Sequence, residues 1–277
     1  MLLGIFALIS AAVAVLVCHC SGAFADLWWL LWLPLSFVGC FLALAGLMFG
    51  FLLILCSRVD QEKEQEKDDP LYRTVANLCI AAALPVLRIR IRTKGTDKMP
   101  ISGRFLLMCN HVSLADPVML LRIFHDRQLA FISKRENKTM FVVGPLLHKM
   151  LGQLINREND REALKTILRC IQILKEDKAS IAVFPEGGIN DDRKFHHLRP
   201  GVFKIAQKAN VPIVVCTLKG TLNVIPNLPK LKRSDVELNL LEVIPAEELK
   251  GVTTVEIAQR VYRLMADDLG PELVAEE

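Results

Sequence analysis

The sequence predicts an α/β fold: a layered domain with a central mixed sheet, preceded by an N-terminal transmembrane helical hairpin. The first observation is the distribution of charge, because residues 1–56 contain a single charged side chain, Asp26, although 23% of the chain is charged. The second is that short apolar runs alternate with helical patterns after residue 57, which is typical of α/β domains. The third is that two polar segments follow predicted strands, where open α/β sheets bind ligands.

Two apolar runs predict the membrane anchor, which we assign to residues 1–56. One covers residues 1–17 and the other residues 27–55, and about 20 residues are needed to span the hydrocarbon core. The alternative is a cleaved signal peptide, because residues 23–25 resemble a cleavage site, but the basic segment that such a peptide requires is absent. Lys and Arg follow the second run and are absent between the runs, so the positive-inside rule places the following domain on the cytoplasmic face.

The charge and cysteine content restrict the partners. All 34 Lys and Arg residues and 29 of the 30 Asp and Glu residues lie in 57–277, which therefore carries a net charge of +5. This small excess suits a domain on anionic lipid and is too small to indicate nucleic-acid binding. The eight cysteines include no Cys-x-x-Cys pair. We therefore expect membrane lipid as a partner, no nucleic acid, and no metal site.

Residues 57–70 form a charged linker of mixed sign, which predicts a solvated tether. A helix is expected at 71–84, and the alternation of apolar and basic residues at 86–92 predicts a half-buried strand with its arginines outward. Further strands are predicted at 104–109, 129–133, 179–184, 211–218 and 236–243. Helices are also predicted at 117–124 and at 200–209. Another helix follows a cap at Asn159 or Asp160, and its apolar positions are 163, 164, 167, 168, 171 and 174. A last helix follows a capping box of Thr253 and Glu256.

The segment that carries the chemistry runs from Asn110 to Pro117, between a predicted strand and a predicted helix. His111 and Asp116 are five residues apart, so they can meet only if the loop folds back. Asp116 could then accept a hydrogen bond from the imidazole and leave the other ring nitrogen to take a proton from a substrate hydroxyl. The structural alternative is that Asp116, which precedes a proline, is a helix N-cap.

A second segment, Val183 to Asn190, also follows a predicted strand. Its glycines, Gly187 and Gly188, would either allow a ligand to approach the backbone or form a turn. The sequence contains no phosphate-binding loop with a Lys, no nucleophile elbow and no zinc-binding His-Glu-x-x-His, so several other enzyme classes are excluded.

These segments together resemble the glycerolipid acyltransferase family, specifically the 1-acylglycerol-3-phosphate O-acyltransferases. The resemblance extends from Ile89 to the C-terminal helix, and it makes residues 71–277 an acyltransferase domain. Four motifs in the family's order carry it, and they are Asn110-His111 with Asp116, Gly152 to Arg157, Phe184 to Gly187, and Val211 to Val214.

The resemblance implies a role for each site residue. His111 would be the general base and Asp116 the residue that orients it. The substrate-binding residues would be Asn110, Arg157, Glu186, Gly187 and Gly188, with Arg157 on the acceptor phosphate. No cofactor is implied, since the acyl donor is a substrate, either acyl-CoA or acyl-acyl carrier protein.

One departure from the family concerns the third motif. The family continues Glu-Gly-Thr-Arg, whereas Gly188 and Ile189 follow Glu186-Gly187 here, so an arginine expected at the phosphate is missing. Arg193, Arg199 or Lys204 would have to replace it, and Lys134 is another cation that could reach the headgroup.

The resemblance implies transfer of a fatty acyl group from an acyl thioester to the hydroxyl of a lysophospholipid, with 1-acylglycerol-3-phosphate converted to phosphatidate. The first alternative is an acyltransferase for another acceptor, glycerol 3-phosphate or a phosphorus-free lysolipid, which the missing arginine favours. The second is a catalytically silent membrane protein that binds lipid through the same fold.

Overall fold

The computed structural model describes residues 2–156 and 159–275, and it divides into two compact units, Met1–Val59 and Asp60–Glu277. The first unit contains two helices, α1 (Leu2–Cys20) and α2 (Trp29–Ser57). Phe6 of α1 and Phe41 of α2 meet edge to face, with ring centroids 6.3 Å apart. Both helices are long and apolar enough to cross a membrane, with mean hydropathies of 2.5 and 2.6.

The second unit is built around a seven-stranded sheet, counted over the residues that the structure describes, in the order β1-β7-β6-β2-β5-β3-β4. Only β6 and β7 pair antiparallel among these strands, so the predicted α/β fold with a mixed sheet is confirmed. The strands are β1 (Ile89–Lys94), β2 (Leu106–Met108), β3 (Leu129–Lys134), β4 (Gln153–Ile155), β5 (Ser180–Val183), β6 (Ile213–Lys219) and β7 (Ser234–Ile244). The helices are α3 (Pro70–Val86), α4 (Asp116–Ile123), α5 (Val143–Lys149), α6 (Asp160–Lys175), α7 (Lys204–Ala209), α8 (Val224–Asn227) and α9 (Thr254–Leu269).

Both faces of the sheet are buried, and successive residues of β2 show why. Leu106 and Met108 pack with α6, α7 and α9, whereas Leu107 packs on the opposite face with α3 and α4. Side chains of a strand alternate between the two faces. A strand that is covered on both faces therefore reads as a continuous apolar run, as β2, β5 and β6 do.

The predicted elements differ from the structure at several boundaries. Helix α3 continues to Val86, so β1 begins at Ile89 rather than at residue 86, although Arg90 and Arg92 are exposed as predicted. The side chain of Asn159 accepts the N–H groups of residues 161 and 162, which confirms it as the cap of α6. The capping box of α9 is also present. The predicted helix α6 is present, but two of its apolar positions, Leu164 and Leu168, are more than half exposed.

The segment before α3 is not a free tether. Asp68 forms a buried ion pair with Arg73 at 2.5 Å, and Arg73 also donates to the Leu129 carbonyl at 3.0 Å. Glu62 pairs with Lys138, so acidic residues of this segment contact cations of the domain. Because the ion pair of Asp68 is buried and hydrogen-bonded, this end of the segment is part of the folded domain.

Candidate active site

His111 and Asp116 meet at the carboxyl end of β2. The loop folds back, and Asp116 Oδ2 lies 2.9 Å from His111 Nδ1. The same oxygen accepts the N–H groups of Val112 at 2.9 Å and Ser113 at 2.8 Å. A carboxylate oxygen is only an acceptor, so Nδ1 carries the hydrogen and Nε2 is left with its lone pair. The pair can therefore act as an oriented base.

Asp116 is not the N-cap of α4, contrary to the structural alternative. Asp116 is the first residue of α4 and the side chain of the preceding Ala115 makes no cap. The carboxylate bonds instead to N–H groups upstream, in the loop that carries His111. Its side chain is fully buried, and that of His111 is 15% exposed. Asp116 therefore shapes the loop and orients the imidazole, while one edge of the ring stays open to a substrate.

Phe184 fixes the plane of the imidazole. The two rings are stacked, with centroids 4.0 Å apart and an angle of 17° between their planes. Phe184 directly follows β5, which pairs with β2, so the end of the neighbouring strand supplies this contact. Its role was missed in the sequence, because stacking depends on the register of two strands that are about 75 residues apart in the chain.

Glu186 ties the two motif loops together. Its Oε1 accepts the backbone N–H of His111 at 2.6 Å. Its Oε2 accepts the side-chain N–H of Asn190 at 3.2 Å and the backbone N–H of His196 at 3.3 Å. Burial raises the pKa of Glu186 from 4.5 to about 8, and the N–H donors of His111 and His196 oppose this shift. Both oxygens of Glu186 already accept hydrogen bonds from N–H groups of the protein. A contact between Glu186 and the substrate therefore stays a prediction.

We expect Glu186→Gln to flatten the pH dependence of stability. A carboxyl whose folded pKa lies above its unfolded value stabilises the fold fully below about pH 4.5 and loses this contribution as the pH rises through about 8. The wild-type chain should therefore lose thermal stability relative to the Gln variant between pH 5 and pH 8.5. Thermal unfolding of both proteins in the same detergent measures this, and parallel curves across that range would contradict it.

Asn110, predicted to bind substrate, joins β2 to β6. It is buried, its Nδ2 donates to the Leu218 carbonyl at 3.0 Å, and its Oδ1 accepts the Leu218 N–H at 2.7 Å. Both ends of the carboxamide therefore bond to the backbone of one residue. This geometry holds the start of the His111 loop against the sheet, and a role for Asn110 in substrate binding stays a prediction.

The two glycines of the second segment differ in what the structure requires of them. Gly187 has φ +91°, a conformation that other residues rarely adopt, and a Cβ at this position would overlap the Nε atom of Arg199. Glycine is therefore needed there. Gly188 and Ile189 are half-buried in the same turn. The site contains no cation at position 189.

The predicted phosphate-binding Arg157 lies outside the described residues. Strands β3 and β4 pair so that Lys134 is opposite Ile155. Parallel strands place their carboxyl ends at one edge of a sheet. Lys134 is exposed and stands at the same edge as the loop of His111. Lys204, on α7, is also exposed, and no contact of its side chain with His111 is seen.

The region that contains this site is similar to known proteins. A family model described as Acyltransferase matches residues 90–219, which include β2, the His111 loop and the Glu186 turn. A 1-acyl-sn-glycerol-3-phosphate acyltransferase from Chlamydomonas reinhardtii is 28% identical over 198 residues, covering 70% of this chain and 57% of the relative. The enzyme of that name from Saccharomyces cerevisiae is 24% identical over 234 residues, covering 82% and 74%.

A solved structure shares the fold. The crystal structure of the 1-acyl-sn-glycerophosphate (LPA) acyltransferase PlsC from Thermotoga maritima matches with a TM-score of 0.60 and 21% identity, covering 82% of this chain and 89% of that one. A relative from Borreliella burgdorferi, also a 1-acyl-sn-glycerol-3-phosphate acyltransferase, is 26% identical over 65% of this chain and 78% of its own length. The chain thus spans between 57% and 78% of the length of these curated relatives.

Proposed function

We propose that this chain is an acyltransferase of the family whose model it matches, and that it transfers a fatty acyl group from an acyl thioester to the free hydroxyl of 1-acylglycerol-3-phosphate, which yields phosphatidate. The observation that carries the proposal is the contact between His111 Nδ1 and Asp116 Oδ2 at 2.9 Å, inside the matched region. The names of the relatives support the acceptor. Acyl-CoA or acyl-acyl carrier protein is the proposed donor.

His111 is the proposed general base. Its Nε2 takes the proton of the acceptor hydroxyl while the oxygen attacks the thioester carbonyl. The C–O bond forms, the C–S bond breaks, and the proton passes from His111 to the departing thiolate. Asp116 stabilises the imidazolium in between. General base catalysis contributes about 10²- to 10⁴-fold, and positioning of the two substrates supplies further acceleration.

The acceptor is tested by a panel assay on the purified full-length chain in lipid. The panel contains 1-acylglycerol-3-phosphate, glycerol 3-phosphate, a phosphorus-free 1-acylglycerol and a lysophospholipid with a larger headgroup, each with the same acyl-CoA. We expect the highest kcat/KM for 1-acylglycerol-3-phosphate. A higher value for another acceptor would replace the acceptor in the proposal, and no transfer to any of them, with CoA and carrier-protein donors, would favour a silent lipid-binding protein.

Arg157 is proposed to contact the acceptor phosphate. A charge-assisted hydrogen bond is worth about 1.5 to 3 kcal/mol, or about 10- to 150-fold in affinity. We therefore expect Arg157→Ala to raise KM for 1-acylglycerol-3-phosphate by about that factor, with little change in KM for the acyl donor. Arg161→Ala, on the exposed first turn of α6, is the matched control. Equal effects on both substrates would contradict the assignment.

The proposed topology has both termini in the cytoplasm and the turn between α1 and α2 outside. The absence of Lys and Arg from residues 21–27 and the cations after residue 57 support it. In a variant without native cysteines, single cysteines introduced at positions 22 and 63 distinguish the two sides. We expect an impermeant reagent to label position 22 in intact cells and position 63 only after permeabilisation. Labelling of position 63 in intact cells would reverse the orientation.

A further inference from the structure

The turn after Glu186 lacks the arginine that the family resemblance leads us to expect, because Ile189 occupies its position. Two arginines follow on the same segment, Arg193 and Arg199, and both residues are exposed. Within the described part of the chain, neither forms an ion pair with a carboxylate. Their guanidinium groups therefore have charge and hydrogen-bond donors available for an anion.

Arg193 is attached to the loop of the base. Its Nη1 donates to the Val112 carbonyl at 3.3 Å, and Val112 directly follows His111. A guanidinium has five N–H donors in a planar fork, and this contact uses one of them. The backbone of Arg193 has φ 58°, in the left-handed region. The turn thus directs the side chain back toward the His111 loop.

Arg199 is attached to the other motif loop. Its backbone N–H donates to the Pro185 carbonyl at 2.9 Å. Its side chain lies over Gly187, where a Cβ would come within 2.9 Å of Cδ and overlap Nε. Because Gly187 has no side chain to cover its backbone, the guanidinium of Arg199 can lie directly on this turn.

The contacts of Arg193 and Arg199 lie on either side of one hydrogen bond, which joins Glu186 to His111. Glu186 Oε1 accepts the His111 N–H at 2.6 Å, and Val112 and Gly187 are the residues that follow His111 and Glu186. In 1-acylglycerol-3-phosphate four bonds separate the reacting hydroxyl oxygen from the phosphorus, a distance of about 4 to 5 Å with ordinary bond lengths. A phosphate bound while its hydroxyl meets His111 must therefore lie close to these two loops.

The charges around the two arginines suit an anion. Asp192 is paired with His196 at 2.9 Å, and Asp116 is buried against His111. Burial raises the pKa of Glu186 to about 8, so its carboxyl carries less negative charge near neutral pH than an exposed one would. Asp191 is the remaining exposed carboxylate of this segment among the described residues.

We infer that Arg193 and Arg199 together bind the phosphate of the acceptor, in place of the arginine that is absent at position 189, and so determine specificity for phosphorylated acceptors. The inference rests on the proposed function, because it concerns the acceptor of the same site. Arg193 and Arg199 lie outside the family motifs, and they would supply the phosphate contact that the third motif lacks in this chain.

The test measures binding separately from turnover. The full-length chain in detergent is titrated with 1-acylglycerol-3-phosphate in the absence of donor, and KM is measured for this acceptor and for phosphorus-free 1-acylglycerol. The variants are Arg193→Gln and Arg199→Gln, which keep a hydrogen-bond donor and remove the charge, with Lys208→Gln, on the exposed side of α7, as the matched control. A further variant adds Ile189→Arg to Arg199→Gln.

We expect each arginine variant to raise Kd and KM for the phosphorylated acceptor by about 10- to 150-fold, with no change for the neutral acceptor. Lys208→Gln should bind as the wild type does, and Ile189→Arg should restore most of the affinity lost with Arg199. Unchanged Kd in both arginine variants, equal losses with the neutral acceptor, or an equal loss in Lys208→Gln would overturn the inference.

Failure of the inference and failure of the proposed function give different results. If the wild-type chain forms phosphatidate and neither arginine affects acceptor binding, the inference fails and the function stands. If 1-acylglycerol-3-phosphate binds with the expected dependence on both arginines but is never acylated, the site is a phosphate site and the function fails. Absence of binding to the wild-type chain would overturn the inference.

Discussion

His111→Ala should lower kcat for acyl transfer by about 10²- to 10⁴-fold while the chain stays folded. The imidazole keeps a lone pair on Nε2, since Nδ1 is held by Asp116 at 2.9 Å. The stacking contact with Phe184 is also lost, but the ring is at the edge of the sheet rather than within either apolar cluster. Its removal should therefore affect turnover far more than folding.

The control for this variant is His125→Ala, which removes an exposed histidine from the turn after α4. It should keep wild-type turnover, and both variants should unfold within a few degrees of the wild type. A folded His111→Ala protein that retains more than a tenth of wild-type turnover would show that His111 is not the base. The assay is initial-rate transfer at saturating acceptor and donor.

Asp116→Asn should also lower turnover strongly. The N–H groups of Val112 and Ser113 point at Oδ2, so the carboxamide oxygen must take that position and can still accept from Nδ1. The loop and the tautomer are then kept, and only the negative charge is lost. Replacing a charged acceptor by a neutral one costs about 1.5 to 3 kcal/mol of transition-state stabilisation, so we expect about a 10- to 150-fold loss in kcat.

Asp116→Ala separates this electrostatic role from the structural one. Alanine removes the acceptor for three N–H groups in a fully buried position, so it should lower the unfolding temperature as well as kcat. Asp116→Asn should unfold close to the wild type. Wild-type turnover in a stable Asp116→Asn protein would mean that Asp116 serves only to shape the loop.

Much of the fold could be predicted because its signals are local. The apolar runs of β2, β5 and β6, and the capping box of α9, depend on neighbouring residues in the chain. Helix α5 and strand β4 are too short to give a periodic pattern, and they were missed. Leu164 and Leu168 match the helical period of α6 and are nevertheless more than half exposed, because only the packing of the domain decides which side of the helix faces the sheet.

The site was predictable in its chemistry and less so in its geometry. The spacing of His111 and Asp116 predicted that they could meet only through a folded loop, and they do. The hydrogen bonds between the Asn110 side chain and the Leu218 backbone join residues that are 108 positions apart, so local sequence could not predict them. The same holds for the bond from His111 to Glu186, because long-range strand order brings the two loops together.

The central claim is that the acceptor hydroxyl, activated by His111, attacks the acyl thioester directly. It is tested by mixing the full-length chain with acyl-CoA in the absence of acceptor and recording the intact protein mass, and then adding 1-acylglycerol-3-phosphate. Direct attack predicts no acylated protein at any time, and phosphatidate only after the acceptor is added. Accumulation of an acylated chain that is then consumed as phosphatidate forms would show a covalent intermediate and contradict the claim.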